Sequence, residues 1–136
     1  MQEIKGDLFR NDQGNLVHCV SRDLAMGAGI AIQFKRRFGR VDELRAQKAK
    51  VGEMAVLTVG HRHIFYLVTK EKYWGKPTYD TLRSSLLKLK EYCLAYQVTS
   101  LSMPRIGCGL DRLSWPKVKE VIAEILEGIQ VKIYFL

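Results

Sequence analysis

Two glycine-containing stretches are the parts of this chain with the clearest chemical potential. One is Met26-Gly27-Ala28-Gly29-Ile30-Ala31, and the other is Pro104-Arg105-Ile106-Gly107-Cys108-Gly109-Leu110-Asp111. Each lies between an apolar run that favours a strand and a segment that favours a helix. Glycine lets the backbone turn sharply and present its amides, and a helix N-terminus favours anions. Two such loops at strand ends of one sheet predict a site for a diphosphate ligand.

Two charged residues at predicted strand ends could supply chemistry beside such a ligand. Lys70 follows a continuously apolar run, and Asp111 closes the second glycine stretch. A primary amine shielded from water could lose its proton and act as a nucleophile. A nearby carboxylate could transfer the protons. By default, however, a strand-end lysine is solvated, and Asp111, like Asp7 after Gly6, is a turn or capping residue.

Other reactive residues fit a catalytic site less well. His18 and Cys19 could suggest a thiol and its base, but adjacent strand residues point to opposite faces of a sheet. His61 and His63 would share a face, yet two imidazoles without a third ligand make a poor metal site. The first glycine stretch lacks the third glycine of a dinucleotide fingerprint, which argues against a nicotinamide-dependent dehydrogenase. We therefore expect neither a metal nor a cofactor.

Length and composition indicate one ordinary globular domain. The chain has 136 residues, 47% of them hydrophobic and 26% charged, so we expect a single domain over residues 1–136. Cys19, Cys93 and Cys108 are too few and too widely spaced for a disulfide framework or paired zinc ligands. The N-terminus is polar, and no apolar run approaches the roughly 20 residues that span a bilayer. We expect an intracellular monomer without membrane contact.

The formal net charge of +8 predicts attraction to polyanions. Basic and aromatic side chains that could form a nucleic-acid surface are Lys35, Arg36, Arg37, Lys48, Lys50, Lys70, Lys72, Lys76, Tyr73 and Trp74. Such a surface would combine phosphate attraction with base stacking. The same charges can equally form a solvated helix face, and the segment that carries Trp74 could instead close over a bound ligand.

Strand-like and helix-like segments alternate along the chain. The predicted strands are 2–5, 16–20, 54–59, 63–69, 98–103 and 131–136. The predicted helices are 30–38, 41–48, a long helix that Thr78 caps, and a last helix that begins near Ser114. This alternation predicts a three-layer α/β/α sandwich around a mixed sheet of about six strands, with ligand loops at strand carboxyl ends. Strands 54–59 and 63–69 are expected to form a buried central hairpin.

Three motifs spread over nearly the whole chain resemble those of a known family. They are Gly6-Asp7-Leu8, then His18-Cys19-Val20-Ser21 leading into the first glycine stretch, and the run 102–113 that contains the second. Together they are similar to macrodomains, and more narrowly to the terminal ADP-ribose protein glycohydrolase branch. This resemblance implies that ADP-ribose binds in a cleft across the carboxyl edge of the sheet.

The resemblance also implies which residues hold the ligand. Asp7 matches the aspartate that contacts adenine in macrodomains, and Leu8 would support the same base. Ser21 would lie near the distal ribose. The first loop would hold the diphosphate and distal ribose, and the second would clasp the diphosphate from the other side. The implied loop residues are Gly27, Ala28, Gly29 and Ile30, and Ile106, Gly107, Cys108, Gly109 and Leu110.

The activity implied by the resemblance is removal of mono-ADP-ribose from glutamate or aspartate esters of proteins. Lys70 and Asp111 match the catalytic lysine and aspartate of the branch, and O-acyl-ADP-ribose could be a further substrate. The loop 21–25 lacks the asparagine-rich stretch of a second hydrolase branch, and the tandem glutamates of poly(ADP-ribose) glycohydrolases are absent. Two alternatives remain open: a module that binds ADP-ribose without turnover, and a hydrolase of ADP-ribosylated nucleic acid.

Overall fold

The structure, a computed structural model, describes residues 1–11 and 13–136. Its strands are β1 (Gln2–Lys5), β2 (Leu16–Ser21), β3 (Met54–Val59), β4 (Arg62–Lys70), β5 (Ser100–Pro104) and β6 (Gln130–Phe135). Its helices are α1 (Leu8–Asn11), α2 (Ile30–Phe38), α3 (Val41–Ala46), α4 (Tyr79–Tyr96) and α5 (Trp115–Ile125), with a 3₁₀ turn at Gly109–Asp111. Within these described ranges no helix combines the length and apolarity that a bilayer crossing requires.

The strands form one mixed sheet of six strands in the order β1-β6-β5-β2-β4-β3. The pairs β1–β6, β5–β6, β2–β5 and β2–β4 are parallel, and only β3 runs antiparallel to its neighbour β4. Parallel strands end on the same side of a sheet. The residues that follow β1, β2, β4, β5 and β6 therefore meet at one edge, which we call the carboxyl edge.

Helices cover both faces of the sheet, and each face has its own apolar core. On one face, α4 and α5 contribute Leu82, Leu86, Leu89, Cys93, Val118, Val121, Ile122 and Ile125. On the other face, α1, α2 and α3 contribute Leu8, Phe9, Phe34 and Leu44. Successive residues of a strand serve opposite faces, as Leu16 and Val17 of β2 do. The predicted three-layer α/β/α architecture is confirmed.

The hairpin formed by β3 and β4 lies at the edge of the sheet, so the prediction of a central hairpin is wrong. Residues 64–69 of β4 are buried as expected, because β4 lies between β2 and β3 and is covered on both faces. Strand β3 pairs with β4 alone among the described strands, and its Thr58 is exposed. The position of a hairpin depends on long-range pairing of β4 with β2, which a run of apolar residues does not specify.

A capping box begins α4 at the predicted residue. The Thr78 hydroxyl accepts a hydrogen bond from the Thr81 amide at 3.0 Å, and the Thr81 hydroxyl accepts one from the Thr78 amide at 3.0 Å. This pattern satisfies two amides of the first helical turn. The Thr81 hydroxyl also donates to the Thr69 carbonyl at 2.8 Å. The start of α4 is thus fastened to the end of β4.

The end of α4 explains why β5 begins later than predicted. Gln97 adopts a left-handed conformation, and the Val98 amide donates to the Cys93 carbonyl at 2.9 Å. Val98 is buried as the hydrophobic residue that commonly follows such a helix end. Its apolarity therefore reflects helix termination, and regular pairing of β5 starts at Ser100.

His18 is a fully buried histidine in the centre of β2. Its ring stacks on Phe34 of α2, with centroids 3.6 Å apart and an interplanar angle of 8°. Neither ring nitrogen has a hydrogen-bond partner among the described residues. Burial lowers the pKa of His18 to about 3, so the folded protein holds a neutral imidazole throughout the physiological range.

We expect His18→Phe to reduce the pH dependence of stability. Below pH 6.5 the unfolded chain protonates His18 while the folded chain does not, so the free energy of unfolding falls as the pH falls. Between pH 7 and pH 5 this linkage is worth about 2 kcal/mol, which His18→Phe should remove. Urea unfolding at both pH values measures the effect, with His61→Phe at an exposed position as control. An unchanged pH dependence in His18→Phe would contradict this assignment.

Candidate active site

The two glycine loops face each other across a crevice at the carboxyl edge. The chain leaves β2 toward α2 on one face of the sheet, and leaves β5 toward α5 on the opposite face. Since β2 and β5 are neighbours, a crevice opens between their carboxyl ends, as expected where connections diverge. A carbon added to Gly29 would lie 3.6 Å from Leu110 Cδ1. The crevice therefore separates two closely opposed loops.

A cleft of about 370 Å³ occupies this crevice. Its walls include Ala28, Gly29 and Ile30 from the first loop and the whole run 106–111 from the second. His18 and Cys19 lie beneath it on β2. Eight of the nine loop residues predicted to bind ligand line this cleft.

Among the predicted ligand residues, Gly27 and Ser21 line neither this cleft nor the adjoining cavity described below. Gly27 is exposed at the start of the first loop. Ser21 is buried at the end of β2, where it lies beside Lys70 in the parallel ladder. All the other loop residues predicted to bind ligand, namely Ala28, Gly29, Ile30, Ile106, Gly107, Cys108, Gly109 and Leu110, line the cleft.

Two glycines have conformations that a side chain would oppose. Gly29, immediately before α2, has φ 59° and ψ −148°, a combination that is essentially restricted to glycine. Gly107 has φ 73°, and a carbon added there would lie 2.9 Å from Leu113 Cδ1. The predicted need for glycine at these two turns is therefore met by backbone geometry, and at Gly107 by close packing as well.

A second cavity of about 240 Å³ adjoins the cleft, because Ile30, Pro104 and Arg105 contribute to the walls of both. Asp7 and Leu8, the two residues predicted to contact a base, line it. Further wall residues, which the sequence did not single out, are Phe9, Gln33, Tyr134, Phe135 and Leu136. Tyr134 and Phe135 are adjacent aromatic residues at the end of the last predicted strand, and the sequence could have indicated them as candidate ligand contacts. The positions of Phe9 and Gln33 depend on how α1 and α2 pack, which the sequence does not indicate.

Asp7 caps α1 in addition to lining the second cavity. Its Oδ1 accepts hydrogen bonds from the Phe9 amide at 2.8 Å and from the Arg10 amide at 3.3 Å. This is the default role of an aspartate after a glycine turn. The carboxylate is thereby fixed at the wall of the cavity.

Lys70 and Asp111 form an ion pair at the end of the cleft. Lys70 Nζ lies 2.6 Å from Asp111 Oδ1, and the two side chains are only 15% and 18% exposed. Lys70 ends β4, and Asp111 follows β5. Both strands flank β2, so the pair spans the end of the intervening strand. Shielding from water strengthens the attraction between the two charges.

An irregularity in β4 precedes Lys70. Val20 pairs with Val68, but the next residue of β2, Ser21, pairs with Lys70. Thr69 is thus an extra residue in β4, as in a β-bulge. Bulges change the direction of nearby side chains and are frequent beside active sites. The pattern of apolar and polar residues along β4 does not indicate this bulge.

Asp23 connects the end of β2 to the segment after β4. Its Oδ1 accepts from the Ser21 hydroxyl at 2.5 Å and from the Ala25 amide at 3.1 Å, and its Oδ2 accepts from the Tyr73 amide at 3.4 Å. Burial alone would raise the pKa of Asp23, but these hydrogen bonds outweigh it and hold the pKa below its usual value. Asp23 is therefore a charged acceptor that orders this corner of the site.

The segment 71–77 is also tied to the second glycine loop. Lys76 Nζ donates to the Leu110 carbonyl at 3.1 Å. The Ser114 amide donates to the Tyr79 hydroxyl at 2.9 Å. Together with the Lys70–Asp111 pair, these contacts join the β4–α4 connection to the β5–α5 connection.

The cysteines near the cleft are poorly suited to act as nucleophiles. Burial raises the pKa of the Cys19 thiol to about 12, and the Asp111 charge adds to the effect. Burial likewise raises the pKa of Cys108. His18 and Cys19 pack on opposite faces of the sheet, as predicted. In the part of the chain that the structure describes, no group of three or more His, Cys, Asp or Glu could hold a metal ion.

Comparison with known proteins identifies relatives that align with 96% of this chain. The ADP-ribose glycohydrolase OARD1 of Bos taurus is 53% identical over 131 residues, which cover 96% of this chain and 86% of the relative. A DNA ADP-ribosyl glycohydrolase of Thermus aquaticus is 30% identical over 148 residues, covering 96% of this chain and 40% of that protein.

Solved structures and a family model give the same result. The macrodomain of Mycobacterium tuberculosis DarG superposes with a TM-score of 0.88 at 26% identity, covering 98% of this chain and 95% of that chain. The family model for the Macro domain matches residues 17–122, which include both glycine loops, Lys70 and Asp111. The chain therefore belongs to the macro domain family.

Proposed function

We propose that this protein is a hydrolase that removes mono-ADP-ribose from glutamate and aspartate esters, and that Lys70 and Asp111 catalyse the reaction. The observation that carries the proposal is the shielded contact of 2.6 Å between their side chains at the end of the cleft. The reaction class is supported by 53% identity to the ADP-ribose glycohydrolase of Bos taurus. O-acyl-ADP-ribose, which also carries an ester, would enter the same site.

In this proposal ADP-ribose spans both cavities. The base lies in the second cavity beside Asp7 and Leu8, and the diphosphate lies between the two glycine loops, whose amides and helix N-terminus favour anions. The distal ribose then points to Lys70 and Asp111, with Ser21 nearby. The proposed ligand contacts from the loops are Gly27, Ala28, Gly29 and Ile30, and Ile106, Gly107, Cys108, Gly109 and Leu110.

The first half of the reaction transfers the sugar to the enzyme. The Lys70 ammonium gives a proton to the Asp111 carboxylate, with which it is already in contact. The neutral amine then attacks C1 of the distal ribose, and the bond from C1 to the ester oxygen breaks. The acceptor carboxylate leaves with the electron pair. Opening of the ribose ring converts the N-linked sugar into a protonated Schiff base on Lys70.

The second half releases ADP-ribose. Asp111 first passes the proton that it took from Lys70 to the departing acceptor carboxylate, and it can then accept a proton from the water that adds to the Schiff base carbon. Asp111 delivers this second proton to Lys70 Nζ, the bond from that carbon to Nζ breaks, and the sugar leaves as an aldehyde that closes to ribose. One water is consumed, and the products are ADP-ribose and the free side-chain carboxyl group of the acceptor.

We expect Lys70→Arg to abolish release of ADP-ribose from a glutamate-ADP-ribosylated peptide while binding of free ADP-ribose persists. Arginine keeps a positive charge beside Asp111, but its guanidinium does not lose a proton to become a nucleophile. Product release measures turnover, and calorimetry measures binding. Lys88→Arg, on the exposed side of α4, is the matched control and should retain full activity. Normal turnover by Lys70→Arg would contradict the assignment, and no release by the unaltered protein would favour a binding module.

Asp111→Asn should lower the turnover number by about 10² to 10⁴, the range usual for loss of a proton-transfer group. Asparagine has nearly the same shape but accepts no proton at neutral pH. The affinity for ADP-ribose should change much less, because Asp111 contributes to proton transfer and not to the diphosphate contacts. Single-turnover kinetics with the same peptide separate the two effects. A turnover number within threefold of the original would rule out this role.

Hydrolysis of ADP-ribosylated nucleic acid is the second candidate function. The net charge of +8 favours a polyanionic acceptor, and the relative from Thermus aquaticus is a DNA ADP-ribosyl glycohydrolase. Release rates from a modified peptide and a modified oligonucleotide, measured with equal ADP-ribose content at two salt concentrations, compare the two acceptors directly. A nucleic-acid acceptor predicts a KM that rises steeply with salt.

A further inference from the structure

We propose that Tyr73 and Trp74 form a stacking platform for the bases of a single-stranded nucleic acid acceptor. We call these two residues the aromatic platform. The inference deepens the second candidate function and rests on the proposal that the cleft holds ADP-ribose. It concerns the part of the substrate that lies outside the cleft.

The platform consists of two large aromatic rings that face solvent. Tyr73 is 59% and Trp74 is 68% exposed. Their ring centroids are 5.2 Å apart at an interplanar angle of 88°, which is a favourable edge-to-face contact. Leu110, whose carbonyl accepts the hydrogen bond from Lys76 of the same segment, is 66% exposed as well. Apolar surface concentrated beside a cleft indicates a binding surface more strongly than single exposed residues do.

The platform is held in place beside the ion pair. It follows Lys70 by three residues, and the Tyr73 amide donates to Asp23 Oδ2 at 3.4 Å. The Gly75 amide donates to the Lys72 carbonyl at 2.9 Å, and Lys76 is tied to the Leu110 carbonyl. A surface that is ordered before binding loses less conformational entropy when it binds.

The orientation proposed for ADP-ribose in the cleft places the acceptor near the aromatic platform. The acceptor is joined to C1 of the distal ribose, and C1 must come within bonding distance of Lys70 Nζ in the proposed reaction. Lys70 is the last residue of β4, and the platform belongs to the connection that follows it. An acceptor that leaves the cleft at Lys70 therefore passes the segment 71–77.

Basic residues lie close to the platform along the chain and near its Asp23 contact. Lys72 and Lys76 belong to the same segment, and Arg45 and Lys48 line a cavity of about 370 Å³ that also includes Asp23, the acceptor of the Tyr73 amide. The opposing carboxylates of this region are engaged: Glu71 pairs with Arg22 at 3.4 Å, and Asp23 accepts the hydrogen bonds described above. Single-stranded nucleic acids bind where basic residues follow the backbone and aromatic rings stack on the bases. An acidic protein segment would match the charge but offers no base to stack.

Fluorescence of Trp74 tests the stacking directly. The chain has two tryptophans, so Trp115→Phe leaves Trp74 as the single tryptophan probe. This variant is titrated with single-stranded DNA, single-stranded RNA, an abasic strand of equal length and a polyglutamate peptide. We expect quenching by DNA or RNA, and binding about tenfold weaker for the abasic strand, because each stacked base contributes substantially to affinity. Quenching by either DNA or RNA supports the proposed stacking on Trp74. The relative affinities of the DNA and RNA strands show whether deoxyribose or ribose is preferred.

Substitutions separate the platform from the rest of the site. Trp74→Ala should weaken binding of the base-carrying strand about tenfold and leave the affinity for free ADP-ribose unchanged. Tyr96→Ala, at an exposed tyrosine of α4, is the matched control and should bind normally. Lys72→Ala should lower the slope of log affinity against log salt concentration by about 0.7, the value for one phosphate of a single strand.

Several results would overturn the proposal. These are equal affinity for abasic and base-carrying strands, Trp74 fluorescence that does not respond to DNA or RNA, and stronger quenching by polyglutamate. Free ADP-ribose binding and release from the modified peptide are measured on the same preparations. If those two activities persist while oligonucleotide binding fails, the platform is wrong and the proposed ester hydrolase stands.

Discussion

An amine and a carboxylate held in contact across the end of a parallel strand are the feature on which the rest of this structure depends. Lys70 and Asp111 come from different strands, and neither belongs to β2, which separates them. Their contact requires β4, β2 and β5 to be parallel and to end together. Two charges this well shielded would be costly if either were left alone. A substrate that enters the cleft must therefore reorganise the pair without leaving an isolated charge.

The same strand ends also produce the cleft. Because the connections after β2 and β5 depart to opposite faces, the glycine loops face each other across the cleft. Gly29 and Gly107 have backbone conformations suited to glycine. The two loops are so close that a carbon added to Gly29 would contact the Leu110 side chain. The fold thus places the two glycine loops and the Lys70–Asp111 ion pair at one edge of the sheet. The connection after β4 contacts this edge through the Tyr73 amide, which donates to Asp23 after β2, and through Lys76, which donates to the Leu110 carbonyl. It also carries the exposed rings of Tyr73 and Trp74.

Local features of the fold and of the candidate site were predictable from the sequence. Thr78 has the capping role that its position predicts, and all but one of the predicted glycine-loop residues line the cleft. Long-range features were not predictable. The edge position of β3 depends on pairing between distant strands. Val98 is apolar because it packs at the end of a helix, and not because it belongs to β5. The bulge at Thr69 does not alter the pattern of apolar and polar residues along β4. The second cavity draws Phe9 and Gln33 from helices whose packing no local pattern fixes.

Covalent trapping tests the central claim most directly. Borohydride added during turnover of a glutamate-ADP-ribosylated peptide would reduce a Schiff base to a stable amine, and peptide mass mapping would locate it. We predict one ADP-ribosyl group per protein, attached at Lys70. Rapid hydrolysis with no trapped adduct, or an adduct on another lysine such as Lys76, would contradict a reaction that passes through the Lys70 amine.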